Sequence, residues 1–395
     1  VRAVVFERKL ARFGAAMAVS ALGGSAGTAS RVGPLKVADR AEPALPGPGW
    51  HRLSPRLAGI CGSDLATVTG ASSRWFEPIV SFPFVPGHEV VATADDGRRV
   101  VVEPVLGCAT RGIDPVCPAC AAGDLGRCER ITFGRLKPGL QSGFCADTGG
   151  GWSTSMVAHG SQLHAVPDEL TDEAAVMVEP TACAVHAALA AGPLDGAVVA
   201  VIGSGTLGLL TTAAIDRWNR PGSLVVAAKH PDQQRLARTF GAGTVVEPGE
   251  IVRAVRRATG SLAIGDGDVE RLTGGADVVF DCVGSAASID SALRITRPGG
   301  RIVLVGMAGV TRIDLTPLWH REIALQGAYA YGIEPMLGGR RTFEAAFELV
   351  AARSLGSLVS ARYPIHRVDD AIAHAADAGR RGAVKVVFDL RGERR

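Results

Sequence analysis

Lysine, aromatic residues and long uninterrupted apolar runs are all scarce in this chain. Of 42 basic side chains, lysine supplies only those at positions 9, 36, 137, 229 and 385, so a lysine inside a motif stands out. No stretch of about 18 apolar residues is free of breakers or charge, so no membrane-spanning helix is expected. A large excess of one charge sign is also missing. The net charge is +3 with 21% charged residues, which gives no argument for nucleic acid or an acidic surface as partner. What remains is 395 residues, 47% hydrophobic, enough to bury a sizeable core. At roughly 100–200 residues per domain, two domains are expected.

The texture changes along the chain. The first 180 or so residues are rich in proline, glycine and short β-like runs such as Val90–Thr93 and Val100–Glu103, separated by the turn signal Asp95-Asp96-Gly97. This reads as an irregular, mostly β domain over 1–182. Ala11–Ala29 is rich in Ala, Gly and Ser after basic Arg8, Lys9 and Arg12. It mimics a signal peptide, but the strand-like Ala3–Phe6 before it favours a flexible insertion or a short surface helix.

From about 183 to 328, strands and helices alternate. Ala197–Ile202, Leu224–Ala228, Ala276–Cys282 and Ile302–Gly306 read as strands, and Leu207–Trp218 and Pro231–Phe240 as helices. Such alternation implies an α/β, doubly wound parallel sheet. Residues 329–395 then return to the first domain through helices at Thr342–Arg353 and Val368–Gly379 and a closing strand Val384–Asp389.

Between the first strand and its helix lies Gly203-Ser204-Gly205-Thr206-Leu207-Gly208. A lone GxGxxG means little, but here it sits within a strand–turn–helix unit. Gly203 permits the tight turn, Gly205 lets the backbone approach a pyrophosphate, and Gly208 allows close helix–strand packing. A dinucleotide cofactor is therefore expected. The end of the second strand separates NAD from NADP, because an acidic residue there binds the ribose hydroxyls. That position falls at Ala228, followed by Lys229 and His230. Positive charge without a carboxylate favours NADP over NAD, with Asp232 as the remaining ribose candidate.

Cys61 in Gly-Ile-Cys-Gly-Ser-Asp and His88-Glu89 in Pro-Gly-His-Glu offer a thiolate, an imidazole and a carboxylate. That set suits zinc with one open position. Glu179, in Val-Glu-Pro-Thr, is a fourth candidate. Of eight cysteines, four lie between 108 and 128, and Cys117-Pro-Ala-Cys120 followed by Cys128 has metal-ligand spacing. In a cytoplasmic enzyme, the location expected here, such a cluster means metal more often than disulfides.

With these motifs the chain resembles zinc-containing members of the medium-chain dehydrogenase/reductase superfamily, over nearly its whole length except about 11–33. The resemblance implies a GroES-like catalytic domain beside the Rossmann domain, and zinc at Cys61 and His88. Glu89 would ligate zinc or stand just behind it. Glu179 of the Glu-Pro pair resembles the third ligand of the polyol branch. Asp64 resembles the carboxylate that orients the ligand histidine. Ser63 matches a proton-relay position, but where several members carry a relay histidine this chain has Ala66.

The family's structural zinc uses four cysteines spaced two, two and seven residues apart. Here the first of them is replaced by Asp114, leaving two ligand sets open: Cys108, Cys117, Cys120 and Cys128, or Asp114 with the last three. The four-thiolate set is preferred. Arg74, Trp75 and Phe76, and Tyr329 and Tyr331, either shape a pocket or pack a domain seam. The expected function is hydride transfer between a small alcohol or polyol and the nicotinamide of NADP or NAD, in a homo-oligomer. The alternatives are an NADPH-linked reductase of aldehydes or ketones and a non-catalytic nucleotide-binding protein.

Overall fold

A computed structural model describes residues 1–265, 267 and 270–393. The chain divides into two compact units: Val1–Glu179 with Tyr331–Ile333 and Ala346–Arg395, and Pro180–Ala330 with Glu334–Ala345. The return to the first unit is therefore less direct than the sequence suggests. Residues 334–345 stay with the second unit, where buried Glu334 pairs with His186 Nδ1 at 2.8 Å; Thr342 Oγ1 donates to the same carboxylate at 2.6 Å.

The first unit is built on a seven-stranded sheet whose central member is Trp50–Gly59. Its early residues pair with Met156–His159, and its later residues lie between Val90–Ala94 and Lys385–Asp389. Both of those neighbours run antiparallel to it, so its C-terminal end meets their N-terminal ends. That edge carries Cys61, His88-Glu89 and Lys385. Beneath it lies an aromatic core. Phe6 stacks on Phe84 at 5.1 Å, and Trp152 meets Phe388 edge-on at 5.0 Å. Trp152 Nε1 donates to Gly59 O at 3.1 Å, tying this core to the end of the central strand.

The segment outside the family resemblance forms two helices, Leu10–Ala21 and Ala26–Val32. Ser25 caps the second through Thr28 N at 3.1 Å. Small residues let them pack closely: Ala16 and Ala29 are wholly buried, and a Cβ on Gly27 would press on Ala373. Their neighbours are the helices Gly62–Thr69 and Val368–Ala376. Ser20 Oγ also reaches Thr69 O at 3.2 Å.

The second unit contains six parallel strands: β1 (Val198–Ile202), β2 (Ser223–Ala227), β3 (Thr244–Val246), β4 (Ala276–Asp281), β5 (Thr296–Leu304) and β6 (Ala324–Gly327). Their order is β3-β2-β1-β4-β5-β6. Four were expected. The two additions are edge strands of three and four residues, too short to show a periodic pattern. The Pro298-Gly299-Gly300 turn lies inside β5 as a bulge, since Ala276 pairs with Thr296 and Val278 with Arg301. The strand order reverses between β1 and β4, and open α/β sheets bind ligands beyond the carboxyl ends at such a point.

Candidate metal and nucleotide sites

The glycine turn follows β1 directly. Gly203 has φ +93°, which favours glycine, and a Cβ on Gly208 would fall on Gly203 O. A Cβ at Gly205 would meet nothing within 4 Å, so the turn presents open backbone there. Ser204 Oγ donates to Ala227 O at 3.0 Å, locking the turn to the end of β2. The helix Thr206–Trp218 starts at this point, with its N-terminal amides and positive dipole end at the turn. Just beyond β2, Ala228 is buried and its amide bonds Val246 O at 2.9 Å, whereas Lys229 is exposed. Asp232 is held by Arg235 at 3.2 Å on the helix Pro231–Thr239.

In the first unit, Cys61 precedes the helix Gly62–Thr69 at the end of the central strand. Asp64, one turn on, accepts from Cys61 N through Oδ2 at 2.9 Å. Its Oδ1 stands 3.6 Å from His88 Nδ1. Neither atom has a hydrogen-bond partner among the described residues, although both are buried. Donor atoms of Cys61, His88 and Glu89 lie within 4.8 Å of one another. Burial disfavours a charged His88, but Asp64, Cys61 and Glu179 outweigh it and raise its pKa well above the ordinary value. Burial likewise pushes the Asp64 carboxyl up. Anionic groups thus converge on one imidazole, and the S, N and O donors match a zinc site.

Lys385 lies outside every motif of the sequence yet belongs to this group. It opens the strand Lys385–Asp389, is buried, and forms an ion pair with Glu89. Its Nζ also reaches Ile60 O at 3.3 Å. Burial opposes its charge, but Glu89 and Cys61 overcome this and raise its pKa. The signal was present, since this is one of five lysines and stands in an apolar strand. Gly59 makes room for the pair: a Cβ there would fall on Glu89 Oε2 and come within 2.8 Å of Lys385 Cε.

Glu179 is buried near this group but outside the 4.8 Å triad. The hydroxyl of buried Tyr331 donates to its Oε1 at 3.3 Å. Phe144 walls the site, with its ring 5.9 Å from that of His88. Ser63 is half-exposed on the first turn of its helix. Thr67 Oγ1 lies 2.9 Å from Ser63 O and 3.1 Å from Ser72 Oγ, so this hydroxyl pair ends on a carbonyl rather than on a titratable group. Trp75 is 80% exposed and Arg74 is also on the surface, whereas Phe76 is half-buried.

The thiols of Cys108, Cys117, Cys120 and Cys128 also gather within 4.8 Å. Cys108 Sγ is 3.7 Å from Cys128 Sγ, too far for a disulfide. Amides point at the sulfurs: Cys117 N at Cys108 Sγ (3.4 Å), Cys108 N at Cys120 Sγ (3.5 Å) and Arg130 N at Cys128 Sγ (3.4 Å). Asp114 is exposed and stands outside the group. Cys145, Cys183 and Cys282 belong to no such cluster among the described residues. Cys282 lies 3.9 Å from Thr211 Oγ1, and burial pushes its thiol up to about 12.

Comparison with known proteins agrees with both halves. The alcohol dehydrogenase GroES-like domain family matches residues 47–168, and the zinc-binding dehydrogenase family matches 207–352. The L-idonate 5-dehydrogenase of Vitis vinifera is 27% identical over 371 residues, covering 90% of this chain and 92% of that protein. The sorbitol dehydrogenase of Arabidopsis thaliana is 27% identical, covering 88% and 90%. A dehydrogenase of Sinorhizobium meliloti 1021, described as zinc-binding and solved with NADP, superposes with TM-score 0.68 at 24% identity, covering 91% and 97%. Among the described residues, no helix is long and apolar enough to cross a membrane. The chain belongs to the zinc-containing medium-chain dehydrogenase/reductase superfamily and is an oxidoreductase.

Proposed function

We propose that this enzyme transfers hydride between a polyol or related secondary alcohol and a nicotinamide cofactor, with NADP preferred to NAD. The observation that carries the reading is the convergence of Cys61, His88 and Glu89 at one sheet edge, on the space left by Gly59. Zinc held there would act as a Lewis acid and lower the pKa of a substrate hydroxyl. In the oxidative direction the alcohol loses a hydride to the nicotinamide and a proton to solvent. The oxidised carbonyl compound and reduced cofactor are the products.

The chain's own groups have separate tasks. Asp64 orients His88 from behind. Lys385 holds the charge of Glu89, and Tyr331 holds Glu179 as a further carboxylate for the metal. Phe144 excludes water from one side of His88. Ser63 is the hydroxyl nearest Cys61 in the chain, and with alanine at position 66 the proton would leave through water or through Glu89. The second unit would hold the pyrophosphate on Gly203–Gly208. Ala228, Lys229 and His230 would face the adenosine ribose, where a 2′-phosphate meets positive charge and no carboxylate. NADP in the Sinorhizobium neighbour is compatible with this reading. The polyol dehydrogenases among the relatives support the substrate class. Cys108, Cys117, Cys120 and Cys128 would hold a second, structural zinc. A homo-oligomer is the expected assembly, and light scattering of the purified chain would measure it.

The test is a dehydrogenase assay across alcohols, polyols and sugars with both cofactors, alongside zinc counted per chain. Cys61→Ser should abolish turnover and remove one zinc, while cofactor binding persists. Turnover that survives this change would refute the zinc mechanism.

A further inference from the structure

The cysteine cluster has a cationic neighbour. Arg111 is wholly buried, on the turn that begins at Cys108: its amide donates to Cys108 O at 3.1 Å. Its guanidinium donates only to main-chain carbonyls among the described residues. Nε bonds Leu106 O at 3.0 Å, and Nη1 bonds the carbonyls of Phe133, Leu136 and Lys137 at 3.1–3.3 Å. Nη2 bonds Gly139 O at 2.6 Å. No carboxylate among the described residues forms an ion pair with it.

Carbonyl dipoles satisfy the donors but supply no net charge, and a buried cation without an anion is strongly destabilising. Burial pulls the Arg111 pKa down, and the groups that oppose this are, largest first, Cys145, Cys128, Cys108 and the carboxylate of Asp147. Two of these are cluster members. Four thiolates outweigh one divalent ion, so a loaded cluster is itself a buried anion. The loop that carries the first cysteine thus also carries the one fully buried arginine identified among the described residues.

We propose that Arg111 is the buried counter-charge of a tetrathiolate metal site formed by Cys108, Cys117, Cys120 and Cys128, each stabilising the other. This rests on reading the cluster as a zinc site. A rival role, a neutral hydrogen-bonding staple for residues 133–139, makes a different prediction. Arg111→Lys keeps the charge but loses the planar fork, whereas Arg111→Gln keeps amide donors and loses the charge.

The experiment follows zinc release to a colorimetric chelator from the full chain carrying Cys61→Ser, so that only the cluster retains metal. Arg111→Gln should release zinc on the order of tenfold faster than its parent, a typical consequence of losing an outer-shell partner. Arg111→Lys should stay within about threefold, because it retains the charge. Equal acceleration in both variants, or none in Arg111→Gln, overturns the counter-charge and leaves the zinc site standing. A Cys61→Ser parent that holds no zinc overturns the zinc reading itself, and the proposal with it. If Arg111→Gln fails to fold, Arg111→Lys decides alone. Zinc retained near the parental rate supports the proposal, and release about tenfold faster or more overturns it.

Discussion

Replacing Lys385 with methionine should separate the metal's electrostatics from the scaffold's. The lysine and Glu89 are each about 2% exposed, so their ion pair is sealed from water. Methionine keeps most of the volume and removes the charge. Glu89 is then a buried carboxylate without its cation, a situation that costs about 3–5 kcal/mol. Ile60 O loses a donor too, adding about 1 kcal/mol. Against a typical net stability of about 5–15 kcal/mol, this is a large fraction. Zinc bound at Cys61, His88 and Glu89 would change the sum, because a divalent ion there would take over part of the lysine's role. The loss should therefore be full in metal-free protein and smaller with zinc bound. Urea unfolding followed by circular dichroism, with and without chelator, measures both. Adding Glu89→Gln should recover most of the metal-free loss, since a neutral amide needs no counter-ion. A metal-free cost below about 1 kcal/mol, or a double variant no more stable than the single, would refute the reasoning.

Three further outcomes are expected. Ala228→Asp should reverse cofactor preference toward NAD, by about tenfold or more in kcat/KM, through repulsion of the 2′-phosphate and new ribose hydrogen bonds; unchanged preference would sink the assignment of that pocket. Gly59→Ala should reduce both zinc content and stability by crowding Glu89, measured by metal analysis and thermal unfolding, with a cost of about 1–3 kcal/mol. Glu7 bonds Lys36 and Lys9, which lower its pKa from 4.5 to about 2. Its stabilisation is therefore complete above pH 4.5 and lost as pH falls through about 2. Glu7→Gln should flatten acid unfolding in that window by about 1 kcal/mol or less, because the lysines are half-exposed.

Some features were legible because they are local. The glycine turn needs Gly203 at positive φ and Gly208 against a carbonyl, and both needs write themselves as glycine. Strand–helix alternation announced the parallel sheet, although β3 and β6 are too short to declare themselves. Ala11–Ala29 reads in sequence as either a flexible insertion or a short surface helix, and it lies in two packed helices. Small residues serve close helix packing as readily as flexibility, and only their neighbours decide which.

The sequence by itself determined which groups are available: a thiol, an imidazole and carboxylates of the kind that suit zinc, a glycine turn of the kind that cradles a dinucleotide, and four thiols in a short lobe. Tertiary structure decided which of these groups meet. The antiparallel neighbours of Trp50–Gly59 bring Cys61, Glu89 and Lys385 to one edge across more than 300 residues of chain. The folding of the lobe gathers Cys108, rather than Asp114, with the other three thiols. Lys385 stands out only as one of five lysines, in an apolar strand, and Arg111 not at all, because a buried charge is specified by its surroundings, and those come from distant strands and loops.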